Sequence, residues 1–533
     1  MTTQTKSLMA WLLIAVALFA LVACGGDDSA KDATSTTGSA ASTSVATAAP
    51  PAPSTDPTAT LKFAWGTNAG SNYDPHTAAN PFVNVFLYPV YDRLINLSPD
   101  GKFEGQLAES WTFKDGGKTL EMKLRSGVLF HDGTKFNAEA VKANIERGKT
   151  NAKSTLKADL TVVSSVDVID ELTVRLNLSA PAGSLPALLA DRAGMMVSPA
   201  ALNNTDLDLK PVGAGPFKVT SHEPGKVIVY EKFEGYWNKA DQRVTRIEIS
   251  MVLDPATRLR ALRSGEIQAT SINADQVKEA KDAKLTVTSD AATGSFILYL
   301  NTARSKFGDI KVRQALALAI DKKAIAETLQ AGLCEPTAQV NPIGYWANDP
   351  GTKGDFYKYD IAQAKKLLGE AGLAGGFSFS AVVINVPFYS AQAEAIQAQL
   401  SQIGVKMDVQ AIEPAQLLAR FAIEKSADSY FSTTGGFIDP AKAVAQLYLP
   451  NSTFNPGAYS NPKIVDLASK GLEATEQAQR APIYQQISRL AAEDAIHIPV
   501  CNGKALTATN GRVTGLKANL AASYDLRYAA ITK

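Results

Sequence analysis

Cysteine, histidine and net charge are all scarce in this sequence. Its three cysteines, Cys24, Cys334 and Cys501, stand too far apart for a zinc knuckle or a CxxC redox pair. Its four histidines, His76, His131, His222 and His497, form no ligand pair; each is expected to be an ordinary surface or hydrogen-bonded side chain. Lysine plus arginine (53) almost balances aspartate plus glutamate (52), so the net charge is +1. No cationic surplus is available for a phosphate backbone, which excludes nucleic-acid binding as a main role. The common catalytic signatures are missing: there is no GxSxG, HExxH or GxxxxGK[ST], and no GxGxxG after a strand. "GAGPFK" (Gly213–Lys218) has two glycines but no third and no helix directly after it, so it reads as a turn. Pro224 and Gly225 break any helix on which His222 and Glu223 might hold a metal. No catalytic set, metal set or cofactor motif is expected.

There is ample material for a folded body. With 533 residues, 45% hydrophobic, the chain is long enough for two or three domains with a large core. At the N-terminus Lys6 precedes an apolar run from Leu8 to Ala23. About sixteen residues fall short of the roughly twenty that span a bilayer and suit a signal h-region. The run ends in "LVAC", which resembles a bacterial lipobox. On that likeness 1–23 is a signal peptide and Cys24 a lipidated mature N-terminus. Residues 24–60, rich in Ser, Thr, Ala and Pro, bury too little to fold and read as a disordered tether.

Beyond the tether, local patterns alternate between strand and helix. "LKFAWGT" (Leu61–Thr67) reads as the first strand, and Leu120, Met122 and Leu124 alternate as in a half-buried strand. Asn137 is placed to cap a helix over Ala138–Arg147, and a hairpin is expected around Asp170–Glu171. Further on, Asp309 is expected to cap one helix through "IKVRQALALAIDKKAIAETL", Asp360 a second, and Ser390 a third that runs to Gln402. A strand over Val405–Val409 follows that third helix, and a helix running into an alternating strand is an α/β crossover unit.

Seven blocks, in order, carry a resemblance: Asn72–Arg147, "PVGAGPFKV" (Pro211–Val219), "RLRALRSGEIQ" (Arg258–Gln268), "FGDIKVRQALALAIDKKAI" (Phe307–Ile325), "YKYDIAQAKKLLGEAGL" (Tyr357–Leu373), "GFIDP" (Gly436–Pro440) and "YSNPKIVDLASKG" (Tyr459–Gly471). Together they resemble the family 5 extracellular solute-binding proteins of ABC importers, a group of peptide- and nickel-uptake receptors. The resemblance implies an α/β, two-lobed type II periplasmic-binding-protein fold with an extra domain inserted in the first lobe. Lobe I would comprise 61–91, 209–303 and 505–533, the insert 92–208, and lobe II 304–504. The implied role is capture of a small organic solute, by family default a short peptide, and delivery to an ABC permease and its ATPase. The alternatives are a non-peptide solute (opine, oligosaccharide, aromatic acid or metal chelate) or a sensory or chaperone-like binding protein. The chain would be a monomer held outside the cytoplasm by its lipid anchor, in the periplasm or on the outer face of the cell membrane.

Matching the family's pocket loops marks candidate ligand contacts at Asn72, Tyr73, Tyr345, Trp346, Phe388, Tyr389, Thr433, Thr434, Gly436 and Phe437. Peptide receptors of the family carry an aspartate for the peptide ammonium three residues before the acid of a "GFIDP"-like loop. Here that position is Gly436, and a buried ammonium without a paired charge is costly. In an oxidising compartment Cys334 and Cys501 are candidates for a disulfide.

Overall fold

The computed structural model describes residues 54–66, 72–78, 81–450 and 452–533. Cys24, the expected signal segment and the tether up to residue 53 lie outside the described residues. The body's hydrogen bonding begins at Ser54 rather than Leu61. Lys533 N donates to Ser54 O (3.1 Å), Asp56 N donates to Ile531 O (2.8 Å), and Thr55 bridges Thr532.

Fifteen strands build the two principal sheets. β1 (Thr60–Trp65) is followed by β2 (Ala108–Lys114), β3 (Thr119–Leu124), β4 (Val163–Asp170) and β5 (Thr173–Leu178). Then come β6 (Phe217–Glu223), β7 (Val227–Lys232), β8 (Arg246–Met251), β9 (Ala269–Ser271) and β10 (Thr286–Leu300). The last five are β11 (Glu335–Pro336), β12 (Ser378–Ile384), β13 (Lys406–Ile412), β14 (Ser429–Thr433) and β15 (Ile498–Thr509).

Strands β2 to β5 form an antiparallel sheet in the order β2-β3-β5-β4, covered by the helix Ala138–Thr150. Leu120, Met122 and Leu124 of β3 point into its core with Val141 and Ile145 of the helix, as period-2 and period-3.6 patterns require. Asn137 caps that helix, accepting from Ala140 N at 3.0 Å.

The other strands form one large sheet in the order β13-β12-β14-β10-β15-β9-β1-β8-β7-β6, with β11 paired to β15. Two cores flank the β1 end, around Phe63 and Tyr230 and around Leu259 and Leu262. Two others flank the β12 end, around Leu316 and Phe379 and around Tyr299 and Leu447. The long strands β10 and β15 join the halves through an antiparallel ladder. That ladder is interrupted in its middle. Ala291 pairs with Lys504 and Ser295 with Asn502, so Ala292–Gly294 face the single residue Gly503. The bulge kinks the strand and turns these residues out of the regular pleat.

Two helix expectations are corrected. The helix capped by Asp309 ends at Ala319, because Ile320 is extended (φ −100°, ψ 111°); Asp321 then caps a separate helix, Lys322–Leu329. The break is held from outside by Gln399, whose Oε1 accepts from Asp321 N at 2.7 Å. The third helix spans Pro387–Ser401, so Ser390 lies inside its first turn rather than at its cap. Proline at the first helical position, with φ already helical and no N–H to satisfy, starts it four residues earlier, with Val386 at the cap.

Candidate functional site

Beside the ladder interruption lies a cavity of about 260 Å³. Phe82, Ile272, Asn273, Leu506 and Ala521 line one side. Phe296, Gln330, Leu333, Phe388, Tyr389 and the turn Thr433–Gly436 supply the other. A larger concavity of about 420 Å³, over the helices Pro255–Ser264 and Val277–Asp282, is lined by charges that satisfy one another. Arg263 pairs with Glu279 at 2.7 Å and Lys278 with Asp282 at 2.6 Å.

The smaller cavity has the composition of a small-molecule site: apolar walls with a few polar groups. Phe296 meets Phe388 edge-on at 5.8 Å, and Tyr389 lies 6.3 Å from Phe296. Tyr389 Oη is 3.3 Å from Thr433 Oγ1, which ties the Pro387 helix to the end of β14. Thr434 is spent on structure. Its Oγ1 accepts from Ser295 N at 2.9 Å and donates to Thr293 O at 3.4 Å. Asn273 is spent likewise, capping the turn Ala274–Gln276. Two side chains of the lining keep an unpaired polar group among the described residues. Gln330 is 4% exposed and its Nε2 is unpaired. Lys504 is exposed and enters no hydrogen bond or ion pair among the described residues. Among the described residues no aspartate or glutamate lines this cavity.

Gly436 has a steric reason to be glycine. A Cβ built on it would stand 2.4 Å from Ala521 Cα and 2.8 Å from Ala521 C, both backbone atoms. A side chain cannot enter without displacing the chain at Ala521. The same turn is fixed from below by Asp439. Its carboxylate forms a fork with Arg480 (2.6 and 2.7 Å), and its Oδ1 accepts from Ala441 N at 2.9 Å to cap the helix Pro440–Leu447.

Of the ten expected ligand contacts, Phe388, Tyr389, Thr433, Thr434 and Gly436 meet at this cavity, and the other five do not line it. Asn72 closes a local turn, donating to Thr77 O and accepting from Asp74 N. Tyr73 is a core residue, with its hydroxyl 3.1 Å from His222 Nε2. Tyr345 is buried and donates to Ile438 O at 3.0 Å; burial, with the Asp439 charge adding to it, holds its phenol well above the usual range. Trp346 packs on Tyr484 and lies 5.4 Å from the Arg480 guanidinium. Phe437 is 9% exposed in the core around Tyr299, and its carbonyl accepts from Thr293 Oγ1. Phe296, Gln330, Leu333 and Lys504 were not identifiable beforehand. They reach the site through the bulged ladder and the loop after Leu329, and neither has a sequence motif.

Cys334 and Cys501 form a disulfide, with Cα atoms 5.6 Å apart. It joins the loop that carries Gln330 and Leu333 to β15 just before Gly503 and Lys504. Among the described residues no three His, Cys, Asp or Glu side chains gather as metal ligands, and no helix is long and apolar enough to cross a membrane. His76 and His497 are buried and His131 half-buried; all three are hydrogen-bonded, and each is pushed down to about 4, chiefly by desolvation.

Residues 102–456 match the family model for bacterial extracellular solute-binding proteins, family 5. The glutathione-binding protein GsiB of Pectobacterium atrosepticum is 29% identical over 461 residues, covering 84% of this chain and 89% of that protein. GsiB of Escherichia coli K12 is 29% identical over 470 residues, covering 84% and 90%. Among solved structures, AgaA of A. tumefacien R10 in complex with agropinic acid superposes with a TM-score of 0.76 at 26% identity, over 89% of this chain and 99% of that one. NikA of Brucella suis in complex with Fe(III)-EDTA superposes with a TM-score of 0.79 at 24% identity, over 89% and 100%. The fold is thus the type II periplasmic-binding-protein fold with its inserted domain, and the chain belongs to the bacterial extracellular solute-binding proteins, family 5.

Proposed function

We propose that this chain captures a small organic solute in the cavity between Leu506 and the Phe388–Tyr389 pair, and that the solute is not held by a free amino terminus. One observation carries the second clause: among the described residues no carboxylate lines the cavity, and at 436 a side chain would meet the Ala521 backbone. An ammonium enclosed there would have no counter-charge, at a penalty of several kcal/mol. Plain peptides bound by their N-terminus are therefore disfavoured. A peptide-like solute held through other groups, or a non-peptide, fits better. Relatives named for glutathione and agropinic acid are in keeping with that range.

Capture works through the two halves of the sheet. Walls from the β1 side and the β12 side meet a ligand together only when they are close, so the ligand favours that state by its differential affinity. The bulge in the β10–β15 ladder is the natural place to bend. The permease of an ABC importer then takes the solute from the closed form. The lobes are 61–91 with 209–303 and 505–533, and 304–504, with 92–208 inserted. Cys24 anchors the chain through lipid, and Cys24→Ala is expected to release it from membranes; unchanged partitioning would oppose the anchor.

The test is to purify the full-length protein under native conditions, denature it, and identify released small molecules by mass spectrometry. A single solute, lost when Tyr389 is changed to Ala, supports the reading. Micromolar calorimetric binding of plain di- to pentapeptides that N-acetylation abolishes overturns it.

A further inference from the structure

The polar side chains that line the cavity divide into those already engaged and those left over. Asn273 caps a turn, Thr434 bonds Ser295 and Thr293, and Thr433 meets Tyr389. Gln330 and Lys504 are left over. Gln330 is buried to 96% with an unpaired amide N–H donor, a condition that costs free energy unless something accepts from it. Among the described residues Lys504 is the only charged one of the lining. Its ladder partner is Ala291, which offers no counter-charge. Alternation along β15 puts Lys504 on the face of Leu506, which also lines the cavity, while Ala505 points into the core around Phe63.

Both unspent groups are hydrogen-bond donors, one of them cationic, and no acid competes for them. They suit an acceptor-rich anion rather than a cation. The remaining walls, with Phe296, Phe388, Tyr389 and Leu333, suit an apolar or aromatic body. We propose that Lys504 and Gln330 hold the carboxylate end of the solute, and that the solute is an organic acid whose apolar body lies against the Phe296–Phe388–Tyr389 cluster. This proposal rests on the cavity being the capture site.

The experiment compares the full-length protein with Lys504→Gln, Gln330→Leu and Tyr389→Ala. Each is purified natively and its retained solute measured. Each is then titrated calorimetrically with 3-phenylpropanoate and octanoate and with their neutral amides. Lys504→Gln removes an exposed charge, and its melting temperature is expected to stay unchanged. The expected result is a retained solute bearing an ionised acid, lost from all three variants. The probe acids should bind about ten- to a hundredfold more tightly than their amides, as for a hydrogen bond to a charged group, and Lys504→Gln should erase that preference. A neutral or cationic retained solute overturns the proposal, as does an absence of acid preference or failure of every acid to bind. Loss of solute from Tyr389→Ala but not from Lys504→Gln refutes the anion anchor and leaves the capture site standing. Retention by all three variants refutes the capture site as well.

Discussion

Replacing Asp439 should show how the turn Thr433–Gly436 is held in place. Asp439 and Arg480 have side chains 4% exposed each, and their fork is closed at 2.6 and 2.7 Å. Arg480 also donates to Gly471 O at 3.1 Å and lies 5.1 Å from the Tyr484 ring. Burial works against its charge, yet the hydrogen bonds and charge of Asp439 outweigh that and leave its pKa raised. Removing the carboxylate strands a buried guanidinium, which costs about 3–5 kcal/mol. Losing the cap on Pro440–Leu447 adds about 1 kcal/mol. Asp439→Ala should therefore destabilise the protein by about 4–6 kcal/mol. Asp439→Asn, which keeps an acceptor for Ala441 N, should be about 1 kcal/mol milder. Urea unfolding followed by tryptophan fluorescence measures both, with unchanged slope if only stability moves. A double change, Asp439→Leu with Arg480→Met, should cost less than the single losses summed, because no charge is left unpaired. An Asp439→Asn penalty below about 1 kcal/mol would mean that the pair is hydrated, and the reasoning would fail.

Gly436→Asp is expected to destabilise by about 1–3 kcal/mol through overpacking against Ala521, without creating peptide binding; a stable, peptide-binding variant would refute the steric argument. Stability should fall as pH drops from 6.5 to 4. His76, His131 and His497 titrate near 4 when folded but near 6.5 when unfolded, so the unfolded chain takes up protons first. Each contributes about 2–3 kcal/mol to that loss, and equal stability at pH 7 and 4.5 would contradict it. Lys322, pushed down to about 7 by burial, acts with the same sign between pH 7 and 10.5. Changing Cys334 and Cys501 together to serine opens a link across 167 residues, a loss of about 5 kcal/mol by chain entropy; an unchanged denaturation midpoint would exclude that contribution.

Local elements were legible because their signals are local. Asn137, Asp309 and Asp360 each cap the helix expected of them, with side chains accepting from the first turn. The break at Ile320 was not legible, since "ALAIDKKAIA" has neither glycine nor proline and the decisive contact comes from Gln399. The site follows the same division. Tyr345–Trp346 and Phe388–Tyr389 are equivalent as sequence, two aromatics in a family pocket loop. Packing separates them: Trp346 lies against Tyr484 beside Arg480, while Phe388 and Tyr389 stand at the cavity. Lys504 was invisible for a different reason. Its place depends on a bulge in a ladder between strands about two hundred residues apart in the chain.

The central strand of the large sheet, β15, is also the last of its strands in the chain. A polypeptide made N-terminus first can complete the small sheet, 108–178, well before its end has emerged. The large sheet cannot be finished on the same schedule. Until residues 498–509 arrive, β9 and β10 lack the strand between them, and both present open edges of the kind that recruit other chains. Cys334 waits over the same interval for Cys501, and Ser54 waits for Lys533. The large sheet therefore closes only once nearly the whole chain is available. A chain cut short by some forty residues would lose the middle of its sheet rather than a tail, and so would expose two strand edges inside the fold rather than trim its rim.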